Sequence, residues 1–227
     1  MSHSFDPAPG LLSGIPCDGL LFDNDGVLVD SDEGVGLAWS RWARDRGLVP
    51  EDVVALVHGR RSADTVALLV PDPGQRAAAL AEIDRLEVEA AVTTAALPGA
   101  RPLVDGLPRD RWAVVTSGVT ALARARLAAA GLPAPPVLVT ADDVSHGKPA
   151  PDGYLAAAAE LGFAPQRTVV LEDSAAGARA GAAAGATVIG VGERSLTTDA
   201  RIVVRDLRGL VWREGVLDLS GAEVLRG

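Results

Sequence analysis

The stretch Gly19-Leu20-Leu21-Phe22-Asp23-Asn24-Asp25-Gly26 decides how the chain is read. Four residues of strand-like character run directly into two carboxylates one residue apart. Side chains alternate along a strand with period two, so Asp23 and Asp25 at the strand's end point the same way. Two neighbouring anions repel unless a cation or a shared proton compensates them. A metal ion, a carboxylate nucleophile and a carboxyl acid/base account for the arrangement, and together they outline a phosphoryl-transfer site. Asn-Asp-Gly is also ordinary turn chemistry between apolar runs. Which reading holds depends on what the rest of the chain brings to the same place.

Working outward, residues 1–16 read as a short arm containing Pro and Gly, and Val27-Leu28-Val29 as a small hairpin or flap. From Asp32 to Leu97 the pattern is helical throughout. Val35, Ala38, Trp39, Trp42 and Ala43 share one face at amphipathic spacing. Shorter helices are expected around Pro50–Val57 and Arg61–Leu69, and a long one over Gly74–Thr94, with no strand in this region. Trp39 and Trp42 read as core or lid packing.

After Leu97-Pro98-Gly99 short apolar runs alternate with helical patterns. The runs are Trp112–Thr116, Val137–Thr140, Thr168–Glu172, Thr187–Val191 and Ile202–Val204, with helices over 119–131, 151–162 and 175–185. Near-continuous apolar strands alternating with helices predict a parallel sheet covered on both faces. The first strand belongs with these, so the fold class is α/β, a doubly wound sheet interrupted by a helical insertion. The expected division is a core of 17–31 and 99–227 and an insertion of 32–98.

In such a sheet ligands bind beyond the carboxyl ends of the strands. Asp23 and Asp25, Thr116, and Glu172 with Asp173 all fall at such ends. This favours the phosphoryl-transfer reading over the turn. Asp23 is the candidate nucleophile, forming an acyl phosphate; Asp25 is the candidate acid/base for the leaving alkoxide and the incoming water. A site rich in carboxylates suits Mg²⁺ rather than zinc. The expected metal ligands are Asp23, Asp173 and the backbone carbonyl of Asp25, with Glu172 direct or through water. Glu172 and Asp173 also suit N-capping of the helix near Ala175. Thr116, Ser117 and Gly118 end a strand and open a helix, offering a hydroxyl and amides to phosphate, or simply a cap. Lys148 is the only lysine in the chain, set in His146-Gly147-Lys148-Pro149. One ammonium before a Pro-opened helix suits a point charge on phosphate and on Asp23; the alternative is a solvated loop lysine. Gly177, Gly181 and Gly185 recur every four residues without matching a dinucleotide fingerprint, and read as close packing against the sheet. His3 and His146 lack partners at metal-ligand spacing.

Composition narrows the partners. The chain has 227 residues, net charge −9 and no basic stripe, which argues against nucleic acid and anionic membrane as partners. Aromatics are 4% of the chain, so its core must rest on Ala, Val and Leu. Cys17 is the only cysteine, which excludes an intrachain disulfide and points to a reducing compartment. With no signal-peptide pattern and no apolar run of membrane-spanning length, a cytoplasmic location is expected. The expected partner is a small phosphorylated metabolite, and the expected state a monomer or weak homo-oligomer.

Four segments in order, FDNDGVLVDS (22–31), AVVTSG (113–118), HGKPAPDGYL (146–155) and VVLEDSAAG (169–177), resemble the four motifs of the haloacid dehalogenase superfamily. The resemblance covers Leu20 to about Val191. It implies a Rossmann-like core, Mg²⁺, an aspartyl-phosphate intermediate and a helical cap that selects substrate. The segments AWSRWARDRGL (38–48), VHGRRS (57–62) and LPGARPLVDGL (97–107), with 132–155, are similar to the branch that hydrolyses sugar and polyol phosphates, including glycerol-3-phosphate and 2-deoxyglucose-6-phosphate. Asn24 stands where the family usually has an apolar residue, and Val27 where Thr is frequent. True haloacid dehalogenases lack an acid/base aspartate at the place of Asp25, so its presence implies phosphate esters. His58, Arg60 and Arg61 are the candidate cap residues for substrate hydroxyls or a second anion. Ser62 falls where the related β-phosphoglucomutases carry a cap arginine, which leans toward a hydrolase. Two alternatives remain: a phosphomutase, and a non-enzymatic receiver module phosphorylated on Asp23.

Overall fold

A computed structural model describes residues 14–227. Residues 1–13 of the expected arm, and His3 with them, lie outside the described residues. Ile15–Pro16, the described end of that arm, is strand β1 rather than part of a loop.

The central strand is β2 (Gly19–Phe22), buried at every position. It lies between β5 (Trp112–Val115) and β7 (Thr168–Glu172), parallel to both. β6 (Val137–Val139) extends the sheet beyond β5; β8 (Thr187–Val191), β9 (Ile202–Val204) and β12 (Val224–Arg226) extend it beyond β7. Only β12 runs antiparallel, pairing with β9 and covering that edge. Alternation within β2 divides the core. Leu20 and Phe22 face one hydrophobic cluster, which includes α5 (Ala100–Asp105) and Leu127 of α6 (Thr120–Ala129). Leu21 faces the other, against α7 (Asp152–Leu161) and α8 (Ala175–Ala184). The expected α/β fold is present, and the expected core strands and the helices of 119–131, 151–162 and 175–185 end within a residue or two of their expected bounds. α5 was not expected, and the long helix expected over Gly74–Thr94 ends at Ala90.

With few aromatics available, close approach is achieved by small residues. A Cβ on Gly181 would come within 3.0 Å of Val170 Cγ1 and Val188 Cγ2, so α8 rests directly on the sheet there. Gly181 thus takes the packing role expected of the glycine repeat, whereas Gly177 lies against the Glu172 carboxylate and Gly185 caps α8 at φ 89°.

The helical insertion comprises α1 (Asp32–Arg44), α2 (Pro50–Val57), α3 (Ser62–Leu69) and α4 (Pro73–Ala90). Its apolar residues form a cluster of their own, centred on Trp39, Trp42 and Ile83. Trp39 and Trp42 pack edge to face at 5.4 Å, and Trp42 Nε1 donates to Ala79 O at 2.9 Å, pinning α1 to α4. The insertion leaves and returns through a two-stranded ribbon, β3 (Val29–Asp30) against β4 (Ala95–Ala96). No strand was expected over 32–97. β4 is only two alanines long, too short to show period-two alternation and poor in β-propensity.

The chain beyond Val204 also carries structure that the pattern did not indicate. β10 (Val211–Arg213) and β11 (Val216–Asp218) form a hairpin that β1 joins as a third strand. Its two-residue turn, Glu214-Gly215, has positive φ at both positions, 49° and 83°. That is the backbone of a type I′ turn, which Asn-Gly or Asp-Gly would announce and Glu-Gly does not.

Candidate active site

The parallel register brings the motif residues together. Phe22 pairs with Leu171 on one side and Val114 on the other, so Asp23 emerges beside Glu172 and Val115. The Asp23 amide continues the ladder by donating to Leu171 O at 3.0 Å. Lys148 arrives from the loop before α7. Its Nζ lies 2.6 Å from Asp23 Oδ1, 2.6 Å from Glu172 Oε1 and 3.1 Å from Val115 O. Burial alone would push the ammonium's pKa down, but the two carboxylates more than offset it and hold it above the ordinary lysine range. Lys148 is therefore a buried site lysine, and the solvated-loop alternative falls.

Carboxylate oxygens of Asp23, Glu172 and Asp173 all lie within 4.8 Å of one another, and all three residues are buried. The capping alternative for Glu172 and Asp173 does not hold, because Ser174 Oγ takes that place and accepts from Gly177 N at 3.0 Å. Three buried carboxylates against the one Lys148 ammonium leave an excess of negative charge at the site. Burial, opposed by Lys148 and reinforced by the neighbouring carboxylates, drives Asp23 well above the usual carboxylate range; burial and then Glu172 push Asp173 to about 7. Arg194, just past β8, offsets this only in part, since it divides its guanidinium between Asp173 (3.0 Å) and Asp32 (2.7 Å). The space around the cluster is also kept clear. A Cβ on Gly177 would run into the Glu172 carboxylate, and one on Gly26, which sits at φ 77°, into that of Asp173. A charge-deficient set of hard oxygen donors in a cleared cradle fits a divalent cation.

The Asp25 carboxylate lies outside that cluster. Its Oδ1 accepts from Ser31 Oγ at 2.6 Å and from Arg126 Nη1 at 2.9 Å. Its Oδ2 has only Asn24 Nδ2 at 3.4 Å and Thr116 Oγ1 at 3.5 Å. Thr116 Oγ1 also accepts from Gly118 N at 3.0 Å, which folds the Thr116-Ser117-Gly118 turn onto the site.

Asp23, Asp25 and Asp173 face a cavity of about 60 Å³ between the sheet edge and the helical insertion. His58, Arg60, Ser117 and Gly118 join them on its wall. Arg61 does not: it is held by Asp64 at 2.8 and 3.0 Å and donates to Ser145 O at 3.2 Å, outside this cavity. Burial, with Arg194 nearby, pushes His58 below the ordinary histidine range, favouring the neutral ring.

Four residues at the site were not singled out from the sequence. Tyr154 donates to Glu172 Oε1 at 2.8 Å, and Arg194 bridges two acids. Arg126 and Glu87 form a buried pair at 3.2 Å. A signal for that pair was present. Glu87 sits among the buried Ala79, Ile83 and Leu86 of α4, and Arg126 among Leu122, Ala123 and Leu127 of α6. A charge on the apolar face of a helix calls for a partner.

Residues 17–185 match the sequence profile of the haloacid dehalogenase-like hydrolases. The chain is 49% identical to hexitol phosphatase A of Escherichia coli over 180 residues, covering 77% of this chain and 83% of that protein. It is 33% identical to glycerol-1-phosphate phosphohydrolase 2 of Saccharomyces cerevisiae over 186 residues, 75% of this chain and 73% of that one. Among solved structures it superposes on CbbY from Rhodobacter sphaeroides in complex with phosphate, with a TM-score of 0.74 and 25% identity over 85% of this chain and 96% of that one. With four motifs gathered at one sheet edge and the match spanning most of its length, the chain belongs to the haloacid dehalogenase-like hydrolase family.

Proposed function

We propose that the protein is a Mg²⁺-dependent phosphatase that hydrolyses a small polyol or sugar phosphate through phosphorylation of Asp23. The observation that carries this reading is Asp23 itself: a buried carboxylate held at 2.6 Å by Lys148, inside a three-carboxylate cluster, with Asp25 beside it on one cavity. The relatives named above act on a hexitol phosphate and a glycerol phosphate, which supports a polyhydroxy alcohol as the leaving group.

In the first step an Asp23 oxygen attacks phosphorus and the bond to the substrate alcohol breaks, with Asp25 giving that oxygen its proton. In the second step water attacks the aspartyl phosphate, Asp25 takes the water's proton, and inorganic phosphate leaves with Asp23 restored. Asp23, Asp173 and the backbone carbonyl of Asp25, with Glu172 direct or through water, would hold Mg²⁺, which would supply charge to offset the phosphoryl oxygens. Lys148 orients Asp23 and adds the fixed positive charge that such transfers require. Thr116, Ser117 and Gly118 cradle the phosphate. His58 and Arg60 meet the alcohol portion.

A cavity of about 60 Å³ is too small for a hexitol phosphate, since ligand pockets are usually several hundred Å³. This supports a division into a core of 17–31 and 99–227 and a cap of 32–98 that opens to admit substrate and closes to exclude water. Among the described residues no helix is long and apolar enough to cross a membrane. The acidic, single-cysteine chain fits a cytoplasmic enzyme.

The test is phosphate release from a panel of polyol, sugar and nucleotide monophosphates, with and without Mg²⁺. Metal-dependent release that favours polyol or sugar phosphates, lost in Asp23→Asn, is the expected result. Activity retained in that variant rules out Asp23 as nucleophile. No release from any substrate, with a long-lived phosphoaspartate, favours a receiver module instead.

A further inference from the structure

Arg126 is 4% exposed on the core helix α6, and Glu87 is 5% exposed on α4 of the insertion. Burying a guanidinium and a carboxylate is costly even when they are paired, and an apolar pair of similar size usually serves stability as well or better. Their presence therefore calls for a reason beyond packing, and their contacts supply one. Ser62 Oγ donates to Glu87 Oε2 at 2.9 Å, Arg126 Nη2 reaches Glu87 Oε1 at 3.2 Å, and Arg126 Nη1 reaches Asp25 Oδ1 at 2.9 Å. A continuous polar chain thus runs from α3 and α4 of the insertion, through one core arginine, to Asp25.

We propose that Arg126, anchored by Glu87, is a positioning residue that fixes which oxygen of Asp25 meets the substrate, and that links this to the seating of the helical insertion. The inference rests on Asp25 acting as acid/base, as proposed above.

The two oxygens of Asp25 are not equivalent. Oδ1 is committed to Ser31 and Arg126 at ordinary hydrogen-bond distances, whereas Oδ2 has contacts only at the 3.4–3.5 Å limit. Oδ2 is then the atom that passes the proton to the departing alkoxide and takes one from water. A guanidinium suits this position because its planar fork serves two carboxylates at once, which a lysine ammonium, as a point charge, does less well. Glu87 holds the second arm of the fork and belongs to the insertion, so lifting the insertion removes the anchor. Seating of the insertion thereby adds to the hold that Ser31 already has on Asp25 Oδ1.

The experiment compares kcat/KM for glycerol phosphate and p-nitrophenyl phosphate in the presence of Mg²⁺. This parameter reports the steps up to loss of the alcohol. The glycerol alkoxide needs a proton to leave; nitrophenolate does not. Three variants are measured: Asp25→Ala as reference, the double variant Arg126→Met with Glu87→Met, and Arg126→Lys. The double variant removes two opposite charges together and leaves neither buried alone.

In Asp25→Ala and in the double variant, kcat/KM for glycerol phosphate is expected to fall on the order of 10²-fold or more, and for p-nitrophenyl phosphate less than about tenfold. Arg126→Lys is expected to fall between wild type and the double variant, with the same selectivity. Thermal melts establish that each variant is folded; if the double variant is not, Arg126→Lys carries the comparison. Equal losses on both substrates, or a wild-type ratio between them, overturn the proposal while Asp25→Ala remains selective. If Asp25→Ala is itself unselective, the acid/base reading fails and this inference falls with it.

Discussion

Lys148 Nζ lies 2.6 Å from Asp23 Oδ1, with each side chain only 7% exposed. The same ammonium contacts Glu172, so one cation is all that keeps the central pair of a three-carboxylate cluster from facing each other uncompensated. Removing one partner of a buried ion pair costs about 3–5 kcal/mol, because the charge left behind has no water to turn to. In a chain of this size that corresponds to roughly 6–20 °C in Tm, taking about 2–4 °C per kcal/mol. Lys148→Met should therefore melt well below wild type in chelator, and Mg²⁺ should raise its Tm by more than it raises that of wild type. Thermal melts of both proteins with and without metal make the comparison. An unchanged Tm in chelator would mean that the cluster does not depend on this lysine.

Asn24 is fully buried, and its Oδ1 has no hydrogen-bond partner among the described residues. Its Nδ2 has only the 3.4 Å contact to Asp25. A buried acceptor left unpaired costs about 1–3 kcal/mol. Asn24→Leu, which keeps the branched heavy-atom skeleton and removes the orphan oxygen, should stabilise the protein by about 1–2 kcal/mol in urea denaturation. Destabilisation would show that the amide is satisfied in solution.

Asn24 also marks the boundary of what could be read from the chain alone. The α/β core was legible because its central strands are buried on both faces and appear as unbroken apolar runs, several of them closing on a polar group. β2 into Asp23 and β7 into Glu172 are the clearest cases. The site contacts between distant segments were less legible. Arg126 meets Asp25 across 101 positions and Arg194 meets Asp32 across 162, and nothing local to any of them announces the pairing. The charged residues on apolar helix faces told that partners existed, not which. Arg61 shows the converse. Its neighbours in the His58–Ser62 segment suggested the cavity, but Asp64, three positions on, captures its guanidinium in a local ion pair.

Asp84 on α4 provides a test of how the insertion meets the core. Burial, then Glu87 and Asp142, push its carboxyl up to about 6. Asp142 lies on the core loop after β6, so its like charge acts between insertion and core. Because the folded value is above the unfolded 3.8, the native state holds more protons between these two pH values, and stability falls as pH rises from roughly 4 to 6. Above 6 the penalty is fully present. Asp84→Asn should remove that part of the slope and raise stability at pH 7 by about 0.5–1 kcal/mol, a figure kept low because the group is half-exposed and screened. Urea denaturation of both proteins at pH 4, 5, 6 and 7 measures it. Parallel curves would mean that Asp84 titrates alike in the folded and unfolded chains.

Two glycines on α8, one turn apart, separate metal binding from packing. A Cβ on Gly177 would run into the Glu172 carboxylate, whereas one on Gly181 would press on Val170 and Val188 at 3.0 Å. Gly177→Ala has to displace the Glu172 carboxylate, the proposed metal ligand, which Lys148, Tyr154 and Ser174 also hold. Disturbing such supported ligands typically weakens metal binding about 10–100-fold. Gly181→Ala has to shift only apolar side chains, an overpacking that costs about 1–3 kcal/mol. Titrating the Tm of each variant with Mg²⁺ should thus show the Gly177→Ala response displaced to higher metal concentration. The Gly181→Ala response should keep the wild-type midpoint from a lower starting Tm. If the two variants respond to Mg²⁺ at the same concentration, Glu172 is not holding the metal, and the site would rest on Asp23 and Asp173 alone.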